Sequence, residues 1–131
     1  MKELHALTDL QLAILDVLWR RGEATASEVH EELVDSLGLA RKTVGTLLTR
    51  LEKQRVLTHR SAGREFVYRA AVTRREVGRA TVRNVLQRLF HGSLPALVNQ
   101  ALESEEVKPG DVQRVQELIA AWQRQGEEPE P

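Results

Sequence analysis

The side chains best suited to chemistry in this sequence are cations and short hydroxyls that fall on one helical face. Between residues 41 and 53, Val44, Leu47, Leu48 and Leu51 recur at i, i+3, i+4 and i+7 and so share one buried stripe. At about 100° per residue the opposite face carries Lys42, Thr46, Thr49 and Lys53. Thr43 and Arg50 lie on one flank and Gly45 on the other. A merely solvated face would mix Glu with Lys, yet acid is nearly absent from this front. An apolar back with a cationic, hydrogen-bonding front fits a DNA major groove about 12 Å wide. Residues 41–55, opening on Arg41, are therefore expected to form a recognition helix.

The charge distribution agrees. The 131-residue chain is formally neutral, with 19 basic and 19 acidic residues, but residues 41–69 hold eight cations against Glu52 and Glu65. That stretch is net +6 and the remainder net −6, with acids gathered in residues 28–35 and from Glu103 onward. One nucleic-acid-facing surface needs such asymmetry. The alternative is that the basic face binds an acidic protein partner.

Other chemistry finds little support. With no cysteine there is no disulfide, thiolate metal site or cysteine nucleophile. His5, His30, His59 and His91 are scattered without ligand spacing, so no metal is expected. Glu28, Glu31, Glu32 and Asp35 read as a solvated helix face rather than a hard-cation cluster. No phosphate loop, nucleophile elbow or zinc signature is present, so neither an enzyme nor a cofactor is expected. No apolar run approaches the roughly 18 residues of a membrane span, and the N-terminal residues lack a secretory h-region. A cytoplasmic protein is the expectation.

The elements that position the recognition helix are spelled locally. Thr8-Asp9-Leu10-Gln11 is a capping box that opens a helix with Leu12, Leu15, Val17, Leu18 and Trp19 on its apolar face, up to Gly22. Thr25-Ala26-Ser27-Glu28 opens a second, with Val29, Leu33, Val34 and Leu37 inward until Gly38. After the third helix, residues 56–60 and 65–69 read as strands joined by Ser61-Ala62-Gly63-Arg64. Phe66 and Tyr68 alternate with Glu65, Val67 and Arg69, the period of a half-buried strand. The fold class is thus mostly α with a small β wing. Residues 1–72 form a winged helix-turn-helix whose hairpin brings Arg60 and Arg64 toward phosphates.

Thr73-Arg74-Arg75-Glu76, another capping box, opens a helical dimerisation domain over residues 73–125. Its apolar positions include Val85, Leu86, Leu89 and Phe90. They continue with Leu97 and Leu102 after a break at His91-Gly92-Ser93. A turn at Lys108-Pro109-Gly110-Asp111 precedes Val115, Leu118, Ile119 and Trp122 on a last helix. So short a region cannot bury all these faces alone, and a two-fold homodimer is the commonest remedy. Trp19 and Trp122 read as core or interface anchors. Residues 126–131 are acidic and proline-bearing and are expected to be disordered.

Residues 41–53, Arg-Lys-Thr-Val-Gly-Thr-Leu-Leu-Thr-Arg-Leu-Glu-Lys, followed by Gly63-Arg64-Glu65-Phe66-Val67-Tyr68, resemble the penicillinase-repressor family. That family includes regulators of beta-lactam resistance and copper-responsive repressors. The segment from Leu7-Thr8-Asp9 to Leu18-Trp19 and the helix start at Thr73 match as well, so the resemblance runs to about Trp122. It implies a homodimeric repressor on an inverted-repeat operator, with Lys42, Thr43 and Thr46 against DNA. The chain departs from the family pattern in carrying Arg41 for a common proline, Gly45 for a larger residue, and Arg55 for a glycine. The cysteines of the copper-responsive members are absent. Beta-lactam-responsive members are cleaved by a sensor protease between Asn and a bulky hydrophobic residue. The nearest match here is Asn99-Gln100.

Overall fold

The computed structural model describes residues 3–127. The chain falls into two compact units, one up to Val85 and one from Leu86 on.

The first unit opens with a 3₁₀ turn, Leu4–Ala6, followed by helix α1, Asp9–Arg21. Thr8 N–H donates to Gln11 Oε1 at 3.0 Å and Gln11 N–H donates to Thr8 Oγ1 at 3.2 Å. The expected box thus satisfies two donors that the first turn would otherwise leave unpaired. Thr25 and Glu28 repeat the arrangement at the start of α2, Ala26–Leu37. Helix α3, Arg41–Lys53, follows without a side-chain cap at Ala40. A three-stranded antiparallel sheet completes the unit: β1, Ala24–Thr25; β2, Leu57–Ala62; and β3, Glu65–Ala70, in the order β1-β3-β2. Ala62 pairs with Glu65, so the hairpin turns on Gly63 and Arg64 alone. Gly63 takes φ +66, a value that glycine adopts without steric penalty.

Each helix sends its apolar stripe to one core: Ile14, Leu15 and Leu18 from α1, Val29 and Leu33 from α2, Val44, Leu48 and Leu51 from α3. Leu57 and Tyr68 close it from the sheet, and Val56 from the turn before β2. Val34 and Leu37, expected inward, stay 37% and 43% exposed. The helical turn explains this correction, since it carries Val34 about 140° and Leu37 about 80° around from Val29. The reading of β3 is also corrected in part. Tyr68 and Phe66 share a face, but only Tyr68 is buried, because Phe66 lies beyond the edge of the helical layer. Val67 is buried on the other face, flanked by its register partners Thr25 and Arg60.

Arg55 occupies the C′ position of α3 at φ +64. Val56 N–H donates to Leu51 O and Arg55 N–H to Glu52 O, both at 2.9 Å, which completes a Schellman motif. A residue with a Cβ is strained there by about 1–2 kcal/mol. Arg55→Gly is therefore expected to stabilise the protein by about 1 kcal/mol. Thermal unfolding checks this, and an unchanged or lower midpoint would contradict the assigned strain.

Helix α4, Arg74–Phe90, starts from the Thr73–Glu76 box and is tied to the winged helix at its root. Trp19 Nε1–H donates to Val72 O at 2.9 Å, the Arg74 guanidinium stacks 4.8 Å above the Trp19 ring and pairs with Asp16, and Val77 enters the core. The winged-helix unit accordingly takes in the first turns of α4, past the 72/73 division read from sequence. His91 and Gly92, both at positive φ, break the chain before α5, Leu94–Leu102, which Ser93 caps. Helix α6, Pro109–Glu127, begins at Pro109 inside the expected turn and runs through residues 126 and 127 of the expected tail. Residues 128–131 of that tail lie outside the described residues.

Candidate nucleic-acid interface

Helix α3 holds its front outward because Val44, Leu48 and Leu51 are wholly buried at its back. Lys42, Thr43, Thr46, Thr49, Arg50 and Lys53 are all exposed. Lys42, Thr46, Thr49 and Lys53 line one shallow hollow with Gly45 and Tyr68. Among the described residues, no carboxylate pairs with Arg41, Lys42, Arg50, Lys53 or Arg64. Their charge is thus available to phosphate, whereas charges already paired would first have to be separated.

The two threonines are oriented by their own helix. Thr46 Oγ1–H donates to Lys42 O and Thr49 Oγ1–H donates to Gly45 O, each at 3.0 Å. Such back-bonding uses the hydroxyl proton. What remains for a ligand is a methyl group and an acceptor lone pair, matched to a thymine methyl or a base amino group.

Gly45 leaves open the wall between α3 and β3 where Tyr68 lies. A Cβ there would meet nothing within 4 Å. Gly45→Ala is therefore expected to stabilise the fold by about 1 kcal/mol through helix propensity. Differential scanning calorimetry reads the outcome, and a lowered midpoint would mean the glycine meets a need of the folded chain itself.

The wing differs from its sequence reading in one respect. Arg60 does not stand free: its guanidinium donates to Glu23 at 2.8 Å. The same bond holds the Glu23 carboxyl below its ordinary range and raises Arg60. Arg64, at the tip, is exposed and faces a second hollow with Arg41, Thr25, Ser27 and Phe66. Sequence reasoning missed Ser27 and Tyr68 as lining residues. Ser27 sits in the first turn of α2, whose capping box was visible but whose orientation was not. Burial pushes the Tyr68 hydroxyl up, with Glu52 adding to the effect.

In the second unit, Leu89, Leu102, Val115, Leu118, Ile119 and Trp122 are exposed, Trp122 by 73%. Leu86, Phe90 and Leu97 are half-buried there, as is Val85 at the end of the first unit. Within the second unit, α5 and α6 do not pack extensively against each other. Asn99 and Gln100 are exposed on α5. No cluster of His, Asp and Glu among the described residues could hold a metal ion, and no helix there is long and apolar enough to cross a membrane.

The family model described as penicillinase repressor matches residues 7–121. The chain belongs to the penicillinase repressor family. It is 26% identical over 119 residues to the penicillinase repressor of Bacillus licheniformis, covering 91% of this chain and 93% of that protein. To the methicillin resistance regulatory protein MecI of Staphylococcus aureus it is 20% identical over 115 residues, covering 88% and 94%. The DNA-binding domain of the repressor BlaI, solved in solution, superposes with a TM-score of 0.51 at 32% identity over 56% of this chain and 90% of that domain. A likeness of fold alone extends over 92% of the chain to hsRosR-SG, at TM-score 0.54 and 17% identity, and takes in 95% of that chain. Members of the penicillinase repressor family are DNA-binding transcriptional repressors with a winged helix, and they are not enzymes.

Proposed function

We propose that two copies of this chain associate through α4, α5 and α6 and bind an inverted-repeat operator in the cytoplasm. Each copy lays α3 in one major-groove half-site, and the bound dimer represses transcription. The observation that carries this reading is the front of α3: unpaired Lys42 and Lys53 around two threonines, on a helix whose back is locked in the core. Within this reading Lys42, Thr43, Thr46 and Thr49 face base edges. Arg41, Arg50, Lys53, Arg60 and Arg64 serve the backbone, Arg60 after giving up or sharing Glu23. Two half-sites read by a two-fold dimer would sit about 34–36 Å apart, or a multiple of that.

The functional division proposed with it assigns residues 1–72 to DNA and residues 73–125 to dimerisation. Release by a sensor protease would act at Asn99-Gln100, which lies within α5, so cleavage requires that turn to unwind first.

Salt titration tests the central claim. A repressor neutralising phosphates loses log K by about 0.9 per log unit of salt for each contact. On a duplex recovered by selection from source genomic fragments, binding should fall steeply with salt yet stay ahead of random duplex. If no such preference exists at moderate salt, the acidic-protein reading of the basic face takes its place.

A further inference from the structure

Glu52 is the one acid on α3, and an acid beside a DNA backbone should weaken binding. The structure gives it a partner on another element. His59 Nδ1–H, on β2, donates to Glu52 Oε2. Among the described residues this is the one side-chain hydrogen bond between α3 and the sheet. The His59 ring is itself held: it stacks on Phe66 at 4.1 Å between centroids and 21° between planes, with Tyr68 at 5.8 Å. His59 pairs with Tyr68 in the register of β2 and β3, so all three rings share the sheet face that turns toward the helices. Glu52 falls on the Gly45 flank of α3, beside the hollow that Tyr68 lines.

We propose that Glu52 and His59 are positioning residues for DNA binding. Resting on the repressor reading above, their bond fixes the wing against the C-terminal half of α3. The cations at the wing then reach the backbone at the register in which the α3 front enters the groove. The hairpin is long and thin beyond Tyr68, with residues 61–66 exposed throughout. Apart from the Arg60–Glu23 pair, for which DNA would compete, backbone pairing alone leaves it free to swing against α3. The Glu52–His59 bond removes that freedom before DNA arrives, so less ordering remains to be done on binding.

The test uses the full chain on the selected operator duplex, reading affinity and salt slope for Glu52→Ala, Glu52→Gln and His59→Phe. Charge alone predicts that Glu52→Ala binds more tightly. Positioning predicts the reverse: about tenfold weaker binding, with the salt slope lowered by about one unit for each wing phosphate lost. Glu52→Gln keeps an acceptor for the His59 N–H and should bind at least as well as wild type. His59→Phe keeps a ring on Phe66 but loses the donor, so it should weaken binding as Glu52→Ala does. The double variant, Glu52→Ala with His59→Phe, should be no worse than either single one. Equal or tighter binding by Glu52→Ala and His59→Phe, at an unchanged slope, overturns the positioning role and leaves the repressor reading intact. A wild-type protein that prefers no duplex overturns both.

Discussion

Ile119→Asp should yield a protein that sediments as a monomer and binds its operator about 10²–10⁴-fold more weakly, while the winged helix stays folded. Val112, Val115, Ile119 and Trp122 recur at i, i+3, i+7 and i+10, which is the seam spacing of helices that pack lengthwise. In the single chain that seam is bare, with Ile119 50% and Trp122 73% exposed. A patch of this kind is uncommon on a monomer and marks an interaction face. Trp122 alone offers about 150–250 Å² for burial. A carboxylate at position 119 would have to be buried without a partner in the associated state but is solvated in the free chain. It therefore opposes association far more than it disturbs α6. Affinity falls because a dimer binds its second half-site at the high effective concentration set by the first, and a monomer has no such gain. Analytical ultracentrifugation and operator titration provide the two readouts, with Ile119→Leu as the control that keeps the seam apolar. An Ile119→Asp protein that still sediments as a dimer would place the interface on other residues.

The parts of this molecule that could be read from sequence are those whose cause lies within a few residues. The boxes at Thr8/Gln11, Thr25/Glu28 and Thr73/Glu76 are three-residue matters, and each forms where the spelling places it. The buried back and exposed front of α3 follow from helical period alone, so the fold and the cationic face of this helix were legible together. What escaped is set by contacts between distant residues. Strand β1 is two residues long and exists because Ala24 and Thr25 find Tyr68 and Val67. Arg60 looked like a free wing cation until the fold brought Glu23 to it across 37 positions. The root of α4 joins the first unit because Arg74 meets Asp16, 58 residues earlier, and stacks over Trp19. Phe66 and Tyr68 have the same period and similar character, yet only the edge of the helical layer decides which of them is covered. Pattern gives the face of a strand; the extent of its neighbours gives burial.

The recognition front is the second place where a small change should have a large effect. Lys42→Ala with Thr46→Ala should leave the dimer and the fold intact, yet reduce the preference for operator over random duplex by about two orders of magnitude or more, since each base contact is worth about 1–3 kcal/mol of discrimination. Both side chains are exposed, and neither supports the core, so stability is not at stake. On the proposed reading Arg50, Lys53 and Arg64 would still meet phosphate in the variant, so binding to random duplex should fall only by what Lys42 gives to the backbone. A competition titration separates the two quantities, and an unchanged preference would mean that α3 does not face the groove. Thr46 can be resolved further because its hydroxyl proton is already spent on Lys42 O. If its methyl reads a thymine, Thr46→Val keeps that contact and should retain most of the preference, whereas Thr46→Ser should lose it. If its lone pair accepts from a base amino group, the order of the two variants reverses. Either order identifies the atom of Thr46 that reads the operator, and full preference retained by both variants would remove this residue from the base-contacting set.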